Sequence, residues 1–170
     1  MSMRRLCLTL LCGLVAAPTA LAASRTAAVA GDGVLEFRSV NASSANITGT
    51  RGTIWGQLDK GKLIVTDPVL GDGQIYVSGA EKTHIVDENV TVYWGTDLHF
   101  RVIGGKYRLA FKSASGLDLT AVGVGTAVLV GDITYDDTGD YARDGGKWIP
   151  VPYIQRSITF GVLPVPPITP

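Results

Sequence analysis

From Val34 onward the chain is written in short runs of Val, Ile, Thr, Tyr and Phe that recur about every 8 to 12 residues and stop at Gly, Asp, Asn or Pro. No stretch keeps apolar residues at the 3.6-residue spacing of a helix for the length a helix needs. The pattern suits antiparallel sheets, in which inward and outward side chains alternate along each strand. Predicted strands cover 34–37, 45–48, 52–55, 62–65, 74–77, 84–86, 90–94, 98–103, 107–112, 117–122, 127–130 and 157–162. The expected fold is all-β, an antiparallel β-sandwich or barrel-like fold of about 10–12 short strands. Gly-x-Ile and Gly-x-Leu steps, at Gly52-Thr53-Ile54 and Gly61-Lys62-Leu63, would also suit the stacked turns of a β-solenoid. Large aromatics at several strand positions favour the sandwich.

Local chemistry sharpens this reading around residue 104. Gly104-Gly105 lies between alternating runs, and two glycines supply the positive φ angles of a two-residue hairpin turn. Such a hairpin sets Val102 against Tyr107, Phe100 against Leu109 and Leu98 against Phe111. Arg101 then falls against Arg108 on the other side, an unfavourable juxtaposition of like charges. Ser113 to Gly116 reads as a second turn, so that 98–122 becomes a three-stranded meander with one apolar and one charged face. The same alternation places Trp94 with Val90 and Val92 on the core side and turns Tyr93 outward.

The ends have a different character. Arg4-Arg5 precede a run from Leu6 to Ala17 that is almost wholly apolar, and Ala20-Leu21-Ala22 supplies the small residues a signal peptidase accepts. Residues 1–22 are therefore expected to be a signal peptide cleaved near Ala22, since the run is shorter than the roughly 20 residues a membrane anchor needs. Leu11 before Cys12 does not suit lipid attachment, and the context of Arg4-Arg5 does not suit twin-arginine export. Residues 23–33 read as a flexible lead-in, 34–163 as a single all-β domain, and 164–170 as a Pro-rich tail that cannot donate regularly to a ladder.

Cleavage would remove Cys7 and Cys12, leaving a domain without disulfides, thiol nucleophiles or thiolate metal sites. It would also remove two of the fifteen basic side chains, leaving thirteen against fifteen acidic ones. Nucleic acid is excluded as an expected partner, because its binding depends on a clustered basic footprint. No transmembrane segment is expected in the mature chain.

Candidate chemistry is sparse. His84 and His99 could serve a hydrolase or lyase together with carboxylates such as Asp97 or Asp118, but no His-Glu-x-x-His or Gly-x-Ser-x-Gly pattern accompanies them. Between Gly131 and Gly146, Asp132, Asp136, Asp137, Asp140 and Asp144 sit among Gly, Thr and Tyr. The stretch reads as a long loop whose carboxylates could hold calcium, although Asp and Gly are also ordinary turn residues. No other cofactor is expected. Trp55, Trp94 and Trp148, with Tyr76 and Tyr93, could offer flat faces to sugar rings, while core packing is the expected role of the tryptophans. Arg101, Arg108 and Tyr93 are the candidate ligand-binding residues, on a face suited to an anion or acidic polymer.

The segment Phe100-Arg101-Val102-Ile103-Gly104-Gly105-Lys106-Tyr107-Arg108, followed by Gly116-Leu117-Asp118-Leu119-Thr120-Ala121-Val122-Gly123, resembles a pattern found in uncharacterised exported bacterial all-β proteins. The resemblance implies a β-rich domain in a bacterial envelope or extracellular setting, and it transfers no catalytic or binding residue. The expected function is a non-enzymatic secreted or cell-envelope β-domain acting as a binding or structural module. Its partner would be an extracellular polymer or an envelope protein. The alternative is an extracellular polymer hydrolase or lyase using His84 or His99.

Overall fold

The computed structural model describes residues 30–41, 43–134 and 138–162. The expected signal peptide, most of the lead-in, Asp136, Asp137 and the Pro-rich tail lie outside these residues. Ten strands are described: β1 (Gly33–Ser39), β2 (Ser43–Thr66), β3 (Gly73–Ser78), β4 (Lys82–Asp87), β5 (Val90–Gly104), β6 (Tyr107–Ser115), β7 (Leu117–Gly131), β8 (Asp140–Arg143), β9 (Ile149–Pro150) and β10 (Arg156–Phe160). All pair antiparallel in one sheet of order β3-β5-β2-β7-β1-β8-β9, with β4 on β5, β6 on β2 and β10 on β7. The fold is a sandwich-like all-β architecture. It is not a solenoid, whose strands would stack in parallel.

β2, 24 residues long, organises everything else. Along one edge it pairs first with β6 and then with β5. Along the other it pairs first with β7 and then with β6. Ile47 and Val65 consequently both lie opposite Leu109, so β2 winds round until its two ends flank the same strand. This winding folds the sheet over itself. One layer contains β4, the first half of β5, both ends of β2, β6, the last part of β7 and β10. The other contains β3, the second half of β5, the middle of β2, the first part of β7, β1, β8 and β9. Leu35, Phe37, Ile54, Val102 and Leu119 from the second layer meet Ile47, Leu109, Phe111, Leu129 and Phe160 from the first in one buried cluster.

Strands that pass from layer to layer must bend, and the glycines show where. Gly49 and Gly125 are register neighbours, and a Cβ at either would collide with the ring of Tyr107 or Phe160 that covers it. Aromatic rings thus fill the space that two bare backbone positions leave. A register shift after Gly49 moves the inward positions of β2 from Ala45 and Ile47 to Ile54 and Leu58. A second change follows where Gly61 and Asp97 take positive φ, at 144° and 61°. Beyond it Leu63 and Val65 point inward on β2, and Tyr93 packs on the core from β5.

Several expectations are corrected by this architecture. Glycines read as strand ends are bends within strands, so the runs 45–48, 52–55 and 62–65 form one strand, as do 90–94 with 98–103 and 117–122 with 127–130. Gly104 and Gly105 do have positive φ, 72° and 66°, yet β5 and β6 do not pair. The Asp72 carboxylate accepts the Lys106 N–H at 3.0 Å, and the chain continues along the edge of β2 instead of reversing. The meander is therefore absent, although its apolar residues Leu98, Phe100, Val102, Tyr107, Leu109, Phe111, Leu117 and Leu119 are all buried as expected. The segment read as a long loop contains β8, whose Tyr141 and Ala142 are buried against β1.

Candidate functional site

In antiparallel pairs, residues directly opposite share a face, so the register dictates which side chains form a surface. Positions of the second layer turned away from the core cluster give the row Glu36, Thr120, Trp55, Arg101, Tyr76 on β1, β7, β2, β5 and β3, of which Glu36 and Thr120 are buried and Trp55, Arg101 and Tyr76 reach solvent. The adjacent row is Arg38, Asp118, Gln57, His99, Ser78. Neighbouring strands lie about 4.7–4.9 Å apart, so Trp55, Arg101 and Tyr76 span roughly 10 Å of continuous sheet. Trp55 is half-buried, Arg101 is exposed and Tyr76 is 55% exposed. The Tyr76 hydroxyl donates to Gln74 Oε1 at 2.9 Å, which fixes the phenol along the edge of the face.

His99, in the second row, has Nε2 3.1 Å from Asp97 Oδ1, with both side chains largely exposed. Further along, Arg38 donates to Asp140 at 3.1 Å, and its guanidinium lies 4.2 Å from the centre of the Trp148 ring. Arg38 is thereby committed, flanked in register by Asp118 and Asp140. Arg101 makes neither an ion pair nor a ring contact among the described residues, and its guanidinium is free to receive a ligand.

The predicted site residues separate. Arg101 lies between Trp55 and Tyr76, whereas Arg108 lies between Thr48 and Thr66 in the other layer, so the expected clash of the two arginines does not arise. Tyr93 points toward the core opposite Leu63, and Trp94 points outward opposite Lys62, the reverse of the expected assignment. The phase change at Gly61 and Asp97 is the cause. None of the three tryptophans belongs to the buried cluster. His84 lies opposite Val92 in the first layer, so the two histidines do not converge. Asp132 accepts the backbone N–H and hydroxyl of Thr134, bonds that hold its carboxyl below the usual range. Asp140 takes Arg38, and Asp144 accepts the Val34 N–H at 2.8 Å. Among the described residues no three His, Cys, Asp or Glu side chains are grouped as a metal cage requires.

Sequence reasoning named Trp55 and Tyr76 among the aromatics that could face sugar rings but expected Trp55 in the core, and it missed Gln57 and the placement of Arg101 between Trp55 and Tyr76. The signal lay in the outward parity of Trp55 relative to Ile54, which becomes readable once β2 and β5 are paired. A hollow of about 170 Å³, lined by Ser43, Ser44, Ser113, Val130, Gly131 and Asp132, is small beside the roughly 300–1,000 Å³ that pockets for drug-sized ligands occupy. Among the described residues no helix is long and apolar enough to cross a membrane. Comparison with protein-family models, with curated proteins and with solved structures gave no match.

Proposed function

We propose that this chain is an exported binding module that holds a polysaccharide of the cell envelope or its surroundings on the outer face of its second layer. The observation that carries the proposal is the register row Trp55–Arg101–Tyr76. It sets an unpaired guanidinium between two aromatic side chains on three adjacent strands, beside the polar row of Gln57, His99 and Asp118. Aromatic faces stack on the apolar faces of sugar rings, and guanidinium, amide and imidazole groups hydrogen-bond the hydroxyls at the rim. An open sheet face suits an extended chain, which needs contact along its length more than enclosure. The apolar run Leu6 to Ala17 behind Arg4-Arg5, read as an export signal, and the lack of cysteine after Ala22 support an exported setting.

Titration of the protein against a panel of soluble glucans, mannans, xylans and peptidoglycan fragments tests this reading by calorimetry. One polymer class is expected to bind, with Trp55→Ala and Arg101→Ala each weakening it by at least about tenfold at unchanged melting temperature. Binding that survives both substitutions, or no binding across the panel, overturns it. The His99–Asp97 contact favours a polymer hydrolase or lyase as the second reading. Release of new reducing or unsaturated ends, abolished by His99→Ala, would replace the first reading with that one.

A further inference from the structure

The outer face of the first layer holds a second chemistry. Lys62 on β2 lies directly opposite Lys112 on β6 and, across its other edge, opposite Trp94 on β5, which in turn lies opposite Lys82 on β4. Lys60, exposed and opposite Thr96 on β5, lies two residues away along β2, across the register shift at Gly61. Like charges directly opposite are unfavourable, so the Lys62–Lys112 pair is maintained against its own repulsion. Among the described residues no carboxylate forms an ion pair with Lys60, Lys62, Lys82, Lys112 or Arg108. Glu81, beside the end of the row, accepts from the Thr96 hydroxyl at 2.7 Å and backbone N–H at 3.1 Å and lies near Lys82 and Lys60 without forming an ion pair, which leaves Lys62, Lys112 and Arg108 as the cations farther from a carboxylate. The Lys62 ammonium lies 5.2 Å from the centre of the Trp94 ring, which holds it over the sheet.

Along β6 the basic strip continues from Lys112 to Arg108. Arg108 lies within a second register row, flanked by Thr48 and Thr66, with Thr126 and Thr159 beyond Thr48. The face therefore offers cations and hydroxyls together. Its apolar members Val92, Ile64 and Val128 are recessed between the cations and hydroxyls, and the exposed apolar side chains of this layer, Ile85 and Val86, lie on the β4 edge. The Trp94 ring already carries an ammonium, which leaves it poorly placed to stack on a nucleic-acid base. We propose that this strip binds an acidic polysaccharide, its carboxylates on Lys62, Lys82 and Lys112 and its hydroxyls on the threonine row. One domain then engages two polymers, one on each outer face.

The test is affinity electrophoresis of the purified protein in gels containing polygalacturonate, its methyl ester or single-stranded DNA. Retardation is expected with polygalacturonate alone, weakening at least about tenfold between low and physiological salt as counterions screen the contacts. Lys62→Glu/Lys112→Glu is expected to abolish it at unchanged melting temperature, while Lys62→Arg/Lys112→Arg retains it. Trp55→Ala, on the opposite face, leaves it intact, so this proposal and the preceding one fail separately. Equal retardation by the neutral ester or by DNA overturns the assignment, as does unaltered retardation of the charge-reversed variant.

Discussion

Tyr107 lays its ring over Gly49 and carries its hydroxyl into the core, where the oxygen has no hydrogen-bond partner among the described residues. Burial pushes that hydroxyl's pKa well above the ordinary tyrosine value. An unsatisfied buried hydroxyl costs about 1–3 kcal/mol, whereas the ring contributes packing. Tyr107→Phe is therefore expected to leave stability unchanged or raise it by up to about 1 kcal/mol, read from the midpoint of urea unfolding at constant slope. Leu109, fully buried between Ile47 and Val65, is the opposite case. Leu109→Ala removes apolar contact with both ends of β2 and should cost about 2–5 kcal/mol in the same measurement.

β2 and β7 are long strands whose bends require bare backbone at Gly49 and Gly125. Gly49→Ala pushes a methyl group into the Tyr107 ring, and overpacking of this kind costs typically about 1–3 kcal/mol. Chemical denaturation should show that loss in Gly49→Ala but not in Gly71→Ala to the same degree. Gly71, which unlike Gly49 is at positive φ, has open space where a Cβ would go and pays backbone strain alone. The β4–β5 edge is expected to respond to acid through Glu81. The Thr96 hydroxyl and N–H, with Lys82 and Lys60 nearby, hold the Glu81 carboxyl below its ordinary value of 4.5. A depressed folded-state pKa stabilises above the unfolded value, and the contribution is lost as pH falls through the folded one. Carbon-detected NMR titration is expected to find the Glu81 midpoint below 4.5, and Thr96→Val should move it back up.

Every layer of the molecule depends on β2, which pairs with β5, β6 and β7 and leaves no part of the sheet independent of it. Unfolding should thus be one cooperative event, with tryptophan fluorescence and far-ultraviolet circular dichroism giving coincident transitions. Separate transitions would mean that the two layers melt independently. Non-local pairs such as Leu35 with Ala121 must close large loops before they contribute, so refolding should take milliseconds to seconds. The sheet edges are guarded by short strands: β4 carries Lys82, His84 and Asp87, and β9 ends at Pro150, which has no N–H to offer a neighbour.

Alternation within each run determined the all-β class and the buried face of residues 98–119, because period-two patterning depends only on which side of a strand meets water. Residue type drew attention to the aromatics, whereas Arg101 and Arg108 were singled out by the hairpin register expected at Gly104-Gly105, which the structure does not form. Tertiary structure decided whether each glycine ends a strand or bends it, since Gly49, Gly61 and Gly104 have the same freedom in either role and only their neighbours select one. It also decided which strands pair, and therefore that Arg101 belongs with Trp55 and Tyr76 while Lys62 belongs with Lys112 and Trp94. A row across a sheet joins residues far apart in the chain, and its membership is set by the winding of β2 around the core, which no local pattern encodes.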